Sequence, residues 1–161
     1  MIAALTARIA VTVVAVGFAA SAYAFDPGST SPVNLDASGL ALKGYDPVAY
    51  FTAGAPTPGD ESITATHDGA TYRFATTGNR DAFLAAPASY IPAYGGFCAM
   101  AMSLGYKVDI DPNAWKIVDD RLYVQANERA TWVWSEDIPG NIAKANGFWP
   151  KIMDKAPAEL R

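Results

Sequence analysis

The chain has 161 residues, a formal net charge of −4 and 51% hydrophobic residues. This acidic balance argues against nucleic acid and against anionic membrane surfaces as partners, because both select basic patches. The hydrophobic fraction is typical of a globular domain with its own core, and most of the aromatic rings are expected to pack in that core.

Residues 1–24 are predicted to be a signal peptide. Arg8 is their single charge, an apolar run covers 9–20, and an Ala-x-Ala cleavage site precedes Phe25. The run is shorter than the about 20 apolar residues that a membrane span needs, so no stable span is expected after cleavage. We therefore expect a periplasmic or secreted protein of 161 − 24 = 137 residues, enough for one domain without disulfides.

The remaining chain divides by composition into three parts. Residues 25–39, rich in Pro, Gly, Ser and Thr, are predicted to be a flexible lead-in. Residues 40–153 form the predicted domain, and 154–161 a C-terminal tail. Near the start of the domain, Asp46 precedes Pro47, a pattern in which the Asp side chain accepts hydrogen bonds from backbone amides and fixes a turn.

Two turn signals predict two β-hairpins. Asp68-Gly69 separates β-like runs at 63–67 and 71–74, and this pair tolerates the positive φ of a tight hairpin turn. Asp119-Asp120 lies in the same way between 115–118 and 121–124.

Short helices are predicted between and after the hairpins. Residues 82–86 form one, and 97–104 form another that opens at Gly95-Gly96 and ends at Gly105. The stretch 127–153 is predicted to be mainly helical, with a break near Pro139. Trp132 and Trp134 are two residues apart and do not share a helix face, so one of them is expected to be exposed. The fold class is therefore α+β: a small antiparallel sheet built from hairpins, packed with short helices and a C-terminal helical segment.

Several short phrases occur in a fixed order between residues 40 and 149. They are Leu42-Lys43-Gly44-Tyr45-Asp46-Pro47-Val48-Ala49-Tyr50-Phe51, Asp68-Gly69-Ala70-Thr71-Tyr72-Arg73-Phe74, Asn79-Arg80-Asp81-Ala82-Phe83, Pro87-Ala88-Ser89-Tyr90, Tyr94-Gly95-Gly96-Phe97-Cys98-Ala99, Asp111-Pro112-Asn113-Ala114-Trp115 and Leu122-Tyr123-Val124. Together they resemble the secreted YHS-domain proteins of bacteria.

The chain differs from some YHS domains at two cysteine positions that the resemblance implies. YHS domains of copper-transporting pumps and of some oxygenase components, for which metal association has been proposed, carry two cysteines in the shared core. The corresponding positions here are Ala49 and Ala75, so the metal site proposed for those relatives lacks both of its thiols. Cys98 lies in a later phrase that belongs to the secreted branch.

Cys98 is the only cysteine of the chain, which makes it the first candidate for a functional site. A lone exported thiol is buried, reactive, metal-bound or paired with another molecule. Thiolate, thioether and imidazole suit a soft metal such as copper, so Met100, Met102 and His67 join it as candidate ligands. On the predicted helix, Cys98 and Met102 are i and i+4 and can meet, whereas Met100 should point elsewhere.

Three interpretations remain open. The favoured one is a non-catalytic binding or accessory module that holds a soft metal or a small ligand near Cys98, in a site shaped by Tyr94, Gly95 and Gly96. The second is a thiol-dependent enzyme in which His67 activates Cys98, helped by backbone amides and by a helix N-terminus. The third is a structural partner-binding domain in which Cys98 is a buried, inert thiol.

Overall fold

Each of the two turn signals closes a β-hairpin in the computed structural model, which describes residues 25–160. Strands β1 (Asp60–His67) and β2 (Ala70–Phe74) pair antiparallel in one two-stranded sheet, and β3 (Asp111–Val118) and β4 (Arg121–Gln125) pair in another. The four central turn residues all have positive φ, the backbone of a tight type I′ turn: Asp68, Gly69, Asp119 and Asp120. Both hairpin predictions are confirmed, with an irregular register at the outer end of each.

Short helices surround the hairpins. In the described part of the chain they are α1 (Ala49–Thr52), α2 (Thr77–Ala85), α3 (Pro87–Tyr90), α4 (Ala99–Met102), α5 (Glu128–Ser135) and α6 (Ile138–Ile152). Three 3₁₀ segments lie at Leu42–Gly44, Ala93–Gly96 and Pro157–Leu160. The α+β prediction is therefore confirmed, with its C-terminal helical segment.

The helix predicted over 97–104 is wrong in both its start and its length. Only α4 forms there, a single turn whose N-cap is Cys98. Gly95 and Gly96 do not open a helix, because both have positive φ and belong to the preceding 3₁₀ segment. The long C-terminal stretch does break as predicted. Pro139 lies in the first turn of α6, where its missing N–H leaves no hydrogen bond unmade.

The aromatic residues pack into three hydrophobic clusters. The first lies between β4, α5 and α6 and includes Trp134, Tyr123 and Met102. The second joins the first hairpin to Phe83 of α2. The third holds Cys98 among residues of β4 and the 40–50 segment. Of the tryptophan pair, Trp134 is fully buried and Trp132 is 66% exposed, as the spacing predicted.

Asp46 is the polar centre of the first half of the fold and is fully buried. One carboxylate oxygen accepts the backbone N–H groups of Val48 (2.8 Å) and Ala49 (3.2 Å). The other accepts the N–H of Ala75 (2.8 Å) and the side-chain amide of Asn79 (2.6 Å). The predicted turn function is confirmed, and the same side chain also ties α1 to the start of α2.

Both ends of the described chain pack onto the domain, although 25–39 was predicted to be a flexible lead-in and 154–161 a tail. The backbone N–H of Asn34 donates to the Gly95 carbonyl (2.8 Å), and that of Ala158 donates to the Pro27 carbonyl (2.9 Å). Lys107 forms hydrogen bonds with both ends. Its ammonium donates to the carbonyls of Ser31 (3.0 Å), Met153 (2.8 Å) and Lys155 (2.7 Å).

The predicted signal peptide, residues 1–24, lies outside the described residues. Across residues 25–160, no helix combines the length and the hydropathy that a bilayer crossing requires.

Candidate functional site

Cys98 lies inside the protein. It is 2% exposed, and its sulfur packs among apolar side chains of the third cluster such as Leu42 and Leu122. The thiol donates to Oε1 of Gln125 (3.4 Å) and accepts the N–H of Ala101 (3.5 Å). Burial raises the pKa of the Cys98 thiol, although nearby backbone amides act in the opposite direction. At neutral pH the sulfur is therefore a protonated, enclosed thiol, whereas nucleophiles and metal ligands are thiolates.

The three sulfur atoms do not pack as predicted. Met102 belongs to the first cluster and Cys98 to the third. Cys98 is the N-cap of α4 and has non-helical φ and ψ, although its carbonyl still accepts the N–H of Met102 (2.9 Å). Met100, expected to point away, is half-buried and packs against both clusters. Its backbone N–H shares Gln125 Oε1 with the thiol.

His67 is separate from these sulfurs. It ends β1, its side chain is 32% exposed, and its ring meets Phe83 of the second cluster edge-on, with 6.0 Å between centroids. Its Nε2 lies 3.3 Å from a carboxylate oxygen of Asp68. His67 thus packs against the second cluster, whereas Cys98 belongs to the third. Among residues 25–160 no group of three or more His, Cys, Asp or Glu side chains could hold a metal ion.

His67 instead lines a cleft of about 250 Å³, together with two other predicted site residues, Tyr94 and Gly95. The cleft lies where the first hairpin, the start of β4 and the end of α6 meet the 25–39 segment. The remaining lining residues are Pro32, Val33, Asp68, Tyr72, Ile91, Pro92, Arg121, Trp149 and Met153. This cleft is the candidate functional site. Gly96 does not line it, and its carbonyl accepts a hydrogen bond from the Asn34 side chain (3.2 Å).

An unusual backbone places Tyr94 in the wall of the cleft. Tyr94, Gly95 and Gly96 are consecutive residues with φ of 54°, 62° and 78°. A left-handed conformation costs a residue with a Cβ roughly 1–2 kcal/mol, so the surrounding structure must hold Tyr94 in place. Its hydroxyl donates to Oδ1 of Asn146 on α6 (3.0 Å), and its ring packs against Trp149 at 6.1 Å between centroids.

Gly95 allows the 25–39 segment to approach the cleft. A Cβ at this position would overlap the carbonyl oxygen of Pro32 and would lie 2.9 Å from its carbonyl carbon. Only glycine combines this close approach with the positive φ. Pro32 and Val33 can therefore form one wall of the cleft.

The cleft is mostly aromatic and apolar, with charged groups at its edge. Burial raises the pKa of Tyr72 and that of Tyr94 to about 12, so both phenols are neutral at physiological pH. Arg121 and Asp68 are exposed and carry opposite charges. Neutral rings with few charged groups suit the binding of a small molecule better than covalent chemistry.

Sequence reasoning did not find Tyr72, Arg121 and Trp149 as site residues. Each residue already had an ordinary structural explanation in the sequence. Tyr72 lies in a strand, Arg121 follows a hairpin turn, and Trp149 lies on a helix face. They come together through tertiary packing, for which the sequence holds no local signal. The two positions where the family resemblance implies cysteines do converge: the N–H groups of Ala49 and Ala75 both donate to Asp46.

Comparison of the chain with protein-family models, with curated proteins and with solved structures gives no match. The resemblance to secreted YHS-domain proteins therefore stays a prediction from the sequence phrases.

Proposed function

We propose that this protein is an exported, non-catalytic binding module of the YHS type and that it holds a small organic ligand in the cleft between its two hairpins. One observation carries the proposal. The cleft gathers His67, Tyr94 and Gly95, three residues predicted for a site at Cys98, within walls of aromatic and apolar side chains, although Cys98 itself does not line it. Concave, mainly apolar sites with a few polar groups are the usual form of small-molecule sites.

The surroundings of Cys98 favour this ligand over a soft metal such as copper. A copper site needs an accessible thiolate with other soft ligands beside it. Here the thiol is buried and hydrogen-bonded to Gln125, and Met102 packs in another cluster. The buried, protonated thiol also argues against a thiol-dependent enzyme. His67, its proposed base, lines the cleft, and Cys98 does not. The buried-thiol alternative thus describes Cys98 well, while the cleft supplies the binding site.

The proposal can be tested by NMR with isotope-labelled protein and a library of neutral and charged aromatic fragments. We expect chemical-shift changes to concentrate on the residues that line the cleft. Met153→Trp, which adds a ring at the rim, should weaken the binding of any hit at least tenfold. Leu104→Trp is the matched control, because Leu104 is also exposed but lies outside the cleft.

Two results would overturn the proposal. One is a library that leaves the cleft resonances unchanged at millimolar concentration. The other is a set of hits whose affinity falls equally in the two tryptophan variants.

A further inference from the structure

Arg121 provides a cation without a partner at the aromatic cleft. Its guanidinium makes no hydrogen bond or ion pair with any residue between 25 and 160, whereas Arg80 pairs with Asp81 at 2.9 Å. It lies close enough to Tyr94 and Tyr123 for its charge to act on both phenols. A guanidinium offers a planar fork of N–H donors that matches the two oxygens of a carboxylate.

The walls next to Arg121 suit a flat ring. Tyr72 and Tyr94 are buried and face the cleft, and Trp149 is half-buried at its side. Aromatic side chains bind another ring in stacked or edge-on geometries. A cavity of about 150 Å³ accepts benzene. The 250 Å³ here therefore has room for one substituted ring, or a small fused pair, but not for a ligand of ordinary drug size.

The charges are distributed unevenly over the cleft. Asp68 lies beside His67 and near Tyr72, while Arg121 lies near Tyr94. An acidic group is therefore attracted to the Tyr94 side and repelled from the Tyr72 side. At the Tyr72 side, the Asp68 carboxylate can accept a hydrogen bond from a ligand hydroxyl or amine.

We propose that the cleft selects a small aromatic carboxylate, with its acid group on Arg121 and its ring among Tyr72, Tyr94 and Trp149. This inference rests on the proposed function and specifies the chemical class of its ligand. A hydrogen-bond donor on the opposite side of the ring completes the match, because it faces Asp68 and His67.

The test compares two ligands of equal shape, 4-hydroxybenzoate and its neutral analogue 4-hydroxybenzamide. Dissociation constants are measured by NMR titration of the native protein, Arg121→Gln and Arg129→Gln. Arg129 is an exposed arginine on α5, outside the cleft, and serves as the control. Because Arg121 is exposed, its contribution is modest, and we expect the acid to bind about three- to fivefold more tightly than the amide.

The preference for the acid should disappear in Arg121→Gln and persist in Arg129→Gln. It should also shrink when sodium chloride is raised from 20 to 500 mM, while the affinity of the amide changes little. Equal affinities for the acid and the amide in the native protein would overturn the carboxylate inference and leave the aromatic cleft in place. If neither ligand binds but other fragments shift the cleft resonances, the inference fails and the proposed function stands. If no fragment binds, both fail.

Discussion

Replacing Gly95 by alanine tests whether the left-handed turn at 94–96 holds the N-terminal segment against the cleft. The new methyl group would collide with backbone atoms of Pro32, and backbone cannot move aside as a flexible side chain can. We therefore expect the 25–39 segment to shift away. The hydrogen bond from Asn34 N–H to the Gly95 carbonyl would then be lost or lengthened.

The magnitude follows from two contributions. Alanine at a φ of 62° costs roughly 1–2 kcal/mol whatever surrounds it. Displacing the segment also removes the Asn34 backbone bond and its side-chain bond to the Gly96 carbonyl, each worth about 1 kcal/mol. Gly95→Ala should thus lower the free energy of unfolding by about 3–4 kcal/mol.

Gly54→Ala is the matched control. Gly54 has nearly the same φ, 63°, but a Cβ there would meet no atom within 4 Å. Its alanine variant should lose only the conformational part, about 1–2 kcal/mol. Urea unfolding followed by tryptophan fluorescence measures both variants. Losses that agree within about 0.5 kcal/mol would refute the steric argument, because the contact with Pro32 would then contribute nothing.

Three further predictions concern buried polar groups. Cys98 in the folded protein should react with iodoacetamide at pH 7.5 at least a hundredfold more slowly than in urea; rapid labelling without denaturant would contradict its burial and its raised pKa. Asp46→Asn should lower the free energy of unfolding by roughly 2–4 kcal/mol, because an amide has one acceptor oxygen and four donors converge on the carboxylate. An unfolding midpoint equal to that of the native protein would show that these hydrogen bonds do not stabilise the fold. Burial lowers the pKa of Lys107 from 10.5 to about 8. Above pH 8 the folded protein therefore loses the Lys107 proton while the unfolded chain keeps it, so the free energy of unfolding should rise by about 1 kcal/mol between pH 7 and 9. That rise should be absent in Lys107→Met, and equal pH profiles for the two proteins would show that Lys107 does not titrate in this range.

Local signals in the sequence predicted the parts of the fold that neighbouring residues determine. Asp68-Gly69 specified a hairpin because few residue pairs accept positive φ. Asp46 specified a turn for a similar reason, although its bonds to Ala75 and Asn79 depend on tertiary structure. The surroundings of Cys98 were harder to predict, since they depend on whether α4 begins before or after it. The helix begins at Ala99, two residues later than predicted, so Cys98 is its N-cap instead of a residue inside it.

Because the cleft lies between the two hairpins, a ligand bound there should affect the stability of the fold. A two-stranded hairpin is marginally stable by itself, and here each sheet has only two strands. The cleft takes His67 and Tyr72 from one hairpin and Arg121 from the other. A ligand that touches both sides therefore binds only when both hairpins hold the positions they have in the folded protein. Its binding free energy then adds to the stability of the whole fold as RT ln(1 + [L]/Kd), about 2.7 kcal/mol at a hundredfold excess over Kd. Ligand binding is therefore coupled to the relative placement of the two hairpins. A ligand that occupies the cleft should raise the unfolding midpoint of both hairpins together.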